Sequence, residues 1–175
     1  FGFIIDFFQK NPMIDMVYGG CNIVNADRNF IVRFEDDYGF RKCNIRNYAE
    51  FSYDTLLNVY SGLIPQQTVF FRRSIFDKVG YLDETYNFTM DYEYWLRIGA
   101  RYKIKRVDTV IANFRMHPEA KTNFKNRYAF IRESIRARWK HGGRKIAPFY
   151  LYAGRLALKT CLKQILITLR ICKNR

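Results

Sequence analysis

The 175-residue sequence predicts a mixed α/β fold. Apolar residues recur at helical spacing in two stretches: Phe3, Ile4, Phe7 and Phe8, then Met90, Tyr94, Ile98 and Tyr102. Other runs (MVYGGCNIVN, FIVRF, RYKIKRVDTVIANFRMH) read as strands. The 16 Phe, 13 Tyr and 2 Trp are too many for a disordered chain, and the length suits one domain with a buried core.

The elements follow in order. The opening FGFIIDFFQK reads as a helix ended by NPMID, because Pro12 disfavours helical geometry at Asn11. A buried strand then runs through Gly19-Gly20, and the polar turn NADRN returns it as FIVRF, a hairpin. EDDYGFRKCNIRN reads as loop and YAEFSYDTLLNVY as helix. After Pro65, QTVFF reads as a strand and RRSIFDKVG as a short helix stopped by Gly80. Asp83 and Glu84 belong to a turn. Thr89 is a fair N-cap for the aromatic-rich helix that follows, and the long strand ends at His117.

Charge divides the chain. Residues 1–123 carry 16 Lys+Arg against 15 Asp+Glu, whereas residues 124–175 carry 14 against the single acid Glu133. Nearly all of the +14 net charge therefore sits in the last 52 residues. There Arg155, Lys159 and Lys163 step by four beside a leucine-rich remainder, the pattern of a basic amphipathic helix lying in a lipid interface. Charges every four residues argue against a spanning helix. The four cysteines show no C-x-x-C spacing, which argues against a zinc cluster or disulfide framework and for reduced thiols in a cytosolic setting.

Asp91 stands at the head of YNFTMDYEYWLRIG, beside Tyr92, Tyr94 and Trp95. A helix start favours an ionised carboxylate by about 0.3–1 kcal/mol, which explains an acid there without any chemistry. The aromatic surround admits a second reading: rings stack on sugar C–H surfaces while a carboxylate takes a hydroxyl proton. Glu93 and Arg97, four apart, are expected to pair on the surface. His117, in FRMHPEAKT, is a surface or packing residue or, with further donors, a metal ligand. Gln66 and Gln67 are a polar strand entry or amides facing an acceptor or a diphosphate, and Arg72 and Arg73 are phosphate-facing or solvated.

Taken together, VYGG, IPQQTVFFRRSIFDKVGYLDETYNFTMDYEYWLRIG and IKRVDTVIANFRMHPEAKT resemble, over about residues 3–123, the second half of a family 2 glycosyltransferase with the Rossmann-like GT-A fold. The resemblance implies an acceptor-side half over residues 1–123, followed by a basic amphipathic helical tail over 124–175. It implies Asp91 as the catalytic base and His117 as a ligand of a divalent metal, Mn2+ or Mg2+. Gln67 and Trp95 would line the acceptor side. Many relatives have Glu-Asp where this chain has Met90-Asp91. The family's first half carries nucleotide-binding βαβ units and an Asp-x-Asp motif, and only 18 residues precede Gly19 here, too few for one such unit of about 30 residues. The donor half and the other metal ligands are thus expected outside this chain, which alone is expected to be inactive.

The implied function is inverting transfer of a sugar from a nucleotide-diphosphate donor to a saccharide or lipid-linked acceptor, in cell-surface polysaccharide synthesis. The implied setting is cytoplasmic, peripheral at the inner face of the membrane through residues 144–175, with no nucleic acid as partner. Two rival classes remain: a non-catalytic sugar-binding or scaffold fragment of that fold, and a basic nucleic-acid-binding module.

Overall fold

A computed structural model describes residues 2–36, 50–59, 62–117 and 126–143. The described residues form a mixed α/β structure around a four-stranded mixed sheet, as the sequence predicts. Helix α1 spans Gly2–Lys10, and Asn11 closes it by donating its side-chain amide to the Phe7 carbonyl at 2.8 Å. Strand β1, Met16–Val24, turns through 25–29 into β2, Phe30–Arg33. Asn25 builds that turn, its Oδ1 accepting the Asn29 N–H at 2.8 Å.

The run from Gln66 departs from the expected strand. Gln66–Thr68 is a single 3-10 turn, closed by the Thr68 hydroxyl on the Pro65 carbonyl, and only Phe70–Phe71 forms strand β3. Helix α2, Ser74–Val79, stops at Gly80, whose φ of 82° favours a residue without a Cβ. Helix α3, Met90–Gly99, leads through a short turn into strand β4, Ile104–Arg115. Helix α4 is Arg127–Lys140. The loop expected after β2 lies largely outside the described residues. So does part of the helix expected near residues 48–60; its described part contains a π-helical turn, Thr55–Val59.

Strand β1 is the centre of the sheet. It pairs with β4 in parallel along its whole length, and antiparallel with β3 at its start and β2 at its end. Since β4 occupies one edge of β1 throughout, β2 and β3 share the other. Between Tyr18 and Cys21 the register shifts twice, so β4 advances from Arg106 to Ala112 while β1 advances three residues. The bulged strand lies close against Gly19, where an added Cβ would meet the Ile111 side chain and stand 2.7 Å from the Thr109 carbonyl oxygen.

Successive residues of β1 face opposite sides. Met16 and Tyr18 join Ile75, Tyr94, Trp95, Leu96 and Ile98 in the main core, whereas Val17 packs with Ile4 and Val107. Helices α2 and α3 therefore cover one face of the sheet and α1 the other. Arg72 is a structural clamp. It donates to the carbonyls of Phe8, Ile14 and Asn11, and its guanidinium sits 4.9 Å from the Phe8 ring centroid.

Candidate functional site

Asp91 opens the first turn of α3, where the sequence places it. Thr89 precedes the helix but makes no side-chain cap. The cap comes from α4 instead. Glu133 accepts the N–H groups of Asn87 at 3.2 Å, Phe88 at 2.7 Å and Thr89 at 3.1 Å, with the Thr89 hydroxyl at 3.4 Å. A buried carboxylate thus satisfies three successive backbone donors at the positive end of α3. Local spacing could not reveal this cap; the available signal was that Glu133 is the sole acid among 14 bases.

The Asp91 residue is half-buried, and its Oδ1 accepts the Tyr92 N–H at 2.8 Å. Burial pushes its carboxyl pKa upward, while hydrogen bonds from the Tyr92 and Asp91 backbone pull the other way without prevailing. The helix start alone would favour the ionised form; desolvation reverses the direction.

The aromatic surround belongs mainly to the core. Tyr92 donates its hydroxyl to the Leu56 carbonyl at 3.0 Å and Tyr94 to the Gly80 carbonyl at 2.9 Å. Trp95, one helical turn after Asp91, is 5 % exposed and packs near Phe71 and Tyr94 at centroid distances of 6.2 and 5.9 Å. This differs from the ring expected to line an acceptor cleft: packing leaves almost none of its surface open. Its indole N–H is buried and has no partner among the described residues.

Gln67 is exposed on the 3-10 turn, which rests against β1 and β4. His117 is exposed just beyond β4, where the Met116 N–H donates to the Val24 carbonyl at 2.9 Å. The chain turns between α3 and β4 at residues 100–103, so Asp91 and His117 each lie at the end of its element remote from that turn. No hydrogen bond or ion pair joins them among the described residues. Nor do any three His, Cys, Asp or Glu side chains there come together as a metal set.

Glu93 and Arg97 do pair, at 2.9 Å, but not on the surface as expected. The Glu93 side chain is fully buried, and its other oxygen meets Lys140 and His141, each at 3.0 Å, at the end of α4. Burial alone would raise its pKa; hydrogen bonds from His141 and Lys140, with the Arg97 charge, override that and hold it at about 2. Lys140 also pairs with Asp83 at 3.0 Å, and Asp83 closes its own turn by accepting from Thr85. Arg138 reaches the Leu57 carbonyl at 2.6 Å. Residues 127–140, on the basic side of the expected boundary at 123/124, are therefore packed against α3 and the segment around Leu57.

Among the described residues, no helix is long and apolar enough to cross a membrane. The amphipathic helix expected within residues 144–175 lies outside them. In comparisons with known proteins, the chain matches no family model and no curated protein sequence.

Proposed function

We propose that this chain is the acceptor-side half of an inverting family 2 glycosyltransferase of the GT-A type, with Asp91 as its catalytic base. The observation that carries the reading is the state of Asp91: a carboxyl at a helix start fixed by Glu133, half-buried, with its proton affinity raised by desolvation. Raised affinity strengthens a carboxylate as a proton acceptor, provided it is ionised when the acceptor arrives. The mixed sheet with β1 and β4 parallel, and the Gly19 contact that lets them approach, are compatible with the architecture the sequence resembles.

In the proposed reaction the acceptor hydroxyl gives its proton to Asp91 as its oxygen bonds to the anomeric carbon. The bond from that carbon to the donor phosphate breaks on the opposite face, and the nucleoside diphosphate leaves with the electron pair. The configuration inverts. Gln67, exposed beside β1 and β4, offers an amide to an acceptor hydroxyl. Trp95 can offer only its buried N–H, and only if the packing around it opens. A divalent metal, Mn2+ or Mg2+, would supply charge neutralisation at the diphosphate, with His117 as a ligand from this chain. The proposed acceptor is a saccharide or a lipid-linked sugar at the cytoplasmic face of a membrane.

Saturation-transfer NMR with p-nitrophenyl glycosides of common hexoses tests the reading on this chain. At least one is expected to bind and to bind more weakly to Asp91→Ala; a chain that binds none of them overturns it. In a version supplemented with a donor half, Asp91→Asn is expected to lower kcat by about 10²–10⁴ with donor KM unchanged. Near-normal turnover removes the assignment.

A further inference from the structure

We propose that the outward face of α4 is a docking surface for an anionic phospholipid bilayer, carried by Tyr128, Arg132, Ile135 and Trp139. The inference rests on α4 itself and stands apart from the glycosyltransferase reading. These residues, spaced by four, three and four, form one stripe along the helix. The opposite face is turned inward: Glu133, Ser134, Ala137 and Arg138 are buried.

Tyr128 is 78 % exposed and Trp139 71 % exposed. Rings of this kind, apolar in body and polar at one edge, settle at the headgroup level of a bilayer. Arg132 is exposed beside them and has no partner among the described residues. The other cations of the helix's second half are engaged. Arg136 lies 4.5 Å from the Tyr86 ring centroid and bonds Thr85, Lys140 holds Asp83 and Glu93, and Arg138 holds the Leu57 carbonyl.

Charge makes the face complementary to anionic lipid. The sole acid of residues 124–175 is Glu133, which is spent inward on the start of α3, so α4 presents no outward carboxylate. A duplex nucleic acid is the lesser fit, because its binding draws on several phosphate contacts. One free arginine between Tyr, Ile and Trp suits a surface that takes apolar rings and a cation at once, the stem of Arg132 lying along the apolar layer with its head among phosphates.

The test uses the full 175-residue chain and vesicles of phosphatidylcholine with and without phosphatidylglycerol, at fixed salt. The chain has two tryptophans, so Trp139→Phe leaves buried Trp95 as the internal control. We expect Trp139 to be open to acrylamide in solution, then to shift its emission to the blue and become shielded on phosphatidylglycerol vesicles alone. The Trp139→Phe variant should show no such shift. Arg132→Glu, an exposed change monitored by circular dichroism, should weaken vesicle binding roughly tenfold. Three results would each overturn the proposal: Trp139 shielded before lipid is added, a vesicle-bound chain whose Trp139 stays open to acrylamide, or a shift on duplex DNA with none on vesicles. Glycoside binding has no bearing on any of these readouts.

Discussion

The Glu133 carboxylate accepts the Thr89 N–H at 3.1 Å across 44 residues of sequence, and through that bond α4 caps α3. The N–H groups of Phe88 and Asn87 complete the cradle. The same carboxylate joins two helices and fixes the backbone that presents Asp91.

Removing that cap should loosen both helices. Glu133→Ala leaves three N–H groups without their acceptor, that of Thr89 buried, and is expected to cost about 1–3 kcal/mol in urea unfolding. Glu133→Gln keeps an acceptor oxygen and should cost less. Amide exchange at residues 87–89 should accelerate in both, and protection unchanged in Glu133→Ala would remove Glu133 from this role.

Asp91 should oppose stability at neutral pH. Its folded pKa is raised above the ordinary 3.8, so between the two values the folded state holds more protons than the unfolded one. Stability from this group is therefore present below about 3.8 and is lost as pH rises through the raised value. Asp91→Asn, which can still accept the Tyr92 N–H, is expected to unfold at a higher urea midpoint than the parent at pH 7, with the difference fading below pH 4. A lower midpoint for Asp91→Asn than for the parent at pH 7 would show that the Asp91 carboxyl is not raised by burial.

Glu93 should act with the opposite sign. Its folded pKa lies at about 2, below the ordinary 4.5. The stability it contributes is present above 4.5 and is lost as pH falls toward 2. At pH 7, Glu93→Ala leaves Lys140 and His141 without their shared carboxylate oxygen and leaves Arg97 only the Val79 and Tyr81 carbonyls, at a cost of about 1–3 kcal/mol. Urea midpoints at pH 7 and pH 3 should show the gap between variant and parent narrowing in acid.

Gly19 should tolerate no side chain. In Gly19→Ala the new methyl would stand 2.7 Å from the Thr109 carbonyl oxygen, which belongs to the backbone of β4 and cannot swing aside. The expected loss is about 1–3 kcal/mol, read as a lowered thermal midpoint. Gly2→Ala, where nothing lies within 4 Å, is the matched control.

Much of the local structure was legible because its causes are local. Phe3, Ile4, Phe7 and Phe8 at helical spacing, Asn25 in its turn and Gly80 after α2 each act over a few residues. QTVFF departs from its strand pattern because Pro65 sets up a turn that Thr68 closes with its own hydroxyl, a local bond that outcompetes strand propensity for Gln66–Thr68. The rings around Asp91 were ambiguous for another reason. Tyr92, Tyr94 and Trp95 would serve a sugar cleft or a core equally well, and which one they serve depends on what packs over them.

The sequence by itself determined the α/β class, the order of helices and strands, the place of Asp91 at a helix start and the concentration of positive charge after residue 123. These follow from periodicity, turn chemistry and composition, which act along the chain. Tertiary structure alone decided that Glu133 caps α3, that Glu93 is buried in a cluster of cations, that Trp95 is enclosed, and that burial turns the pKa of Asp91 upward. Each depends on atoms brought together from distant parts of the chain, and desolvation and long-range hydrogen bonds have no period for a sequence to display.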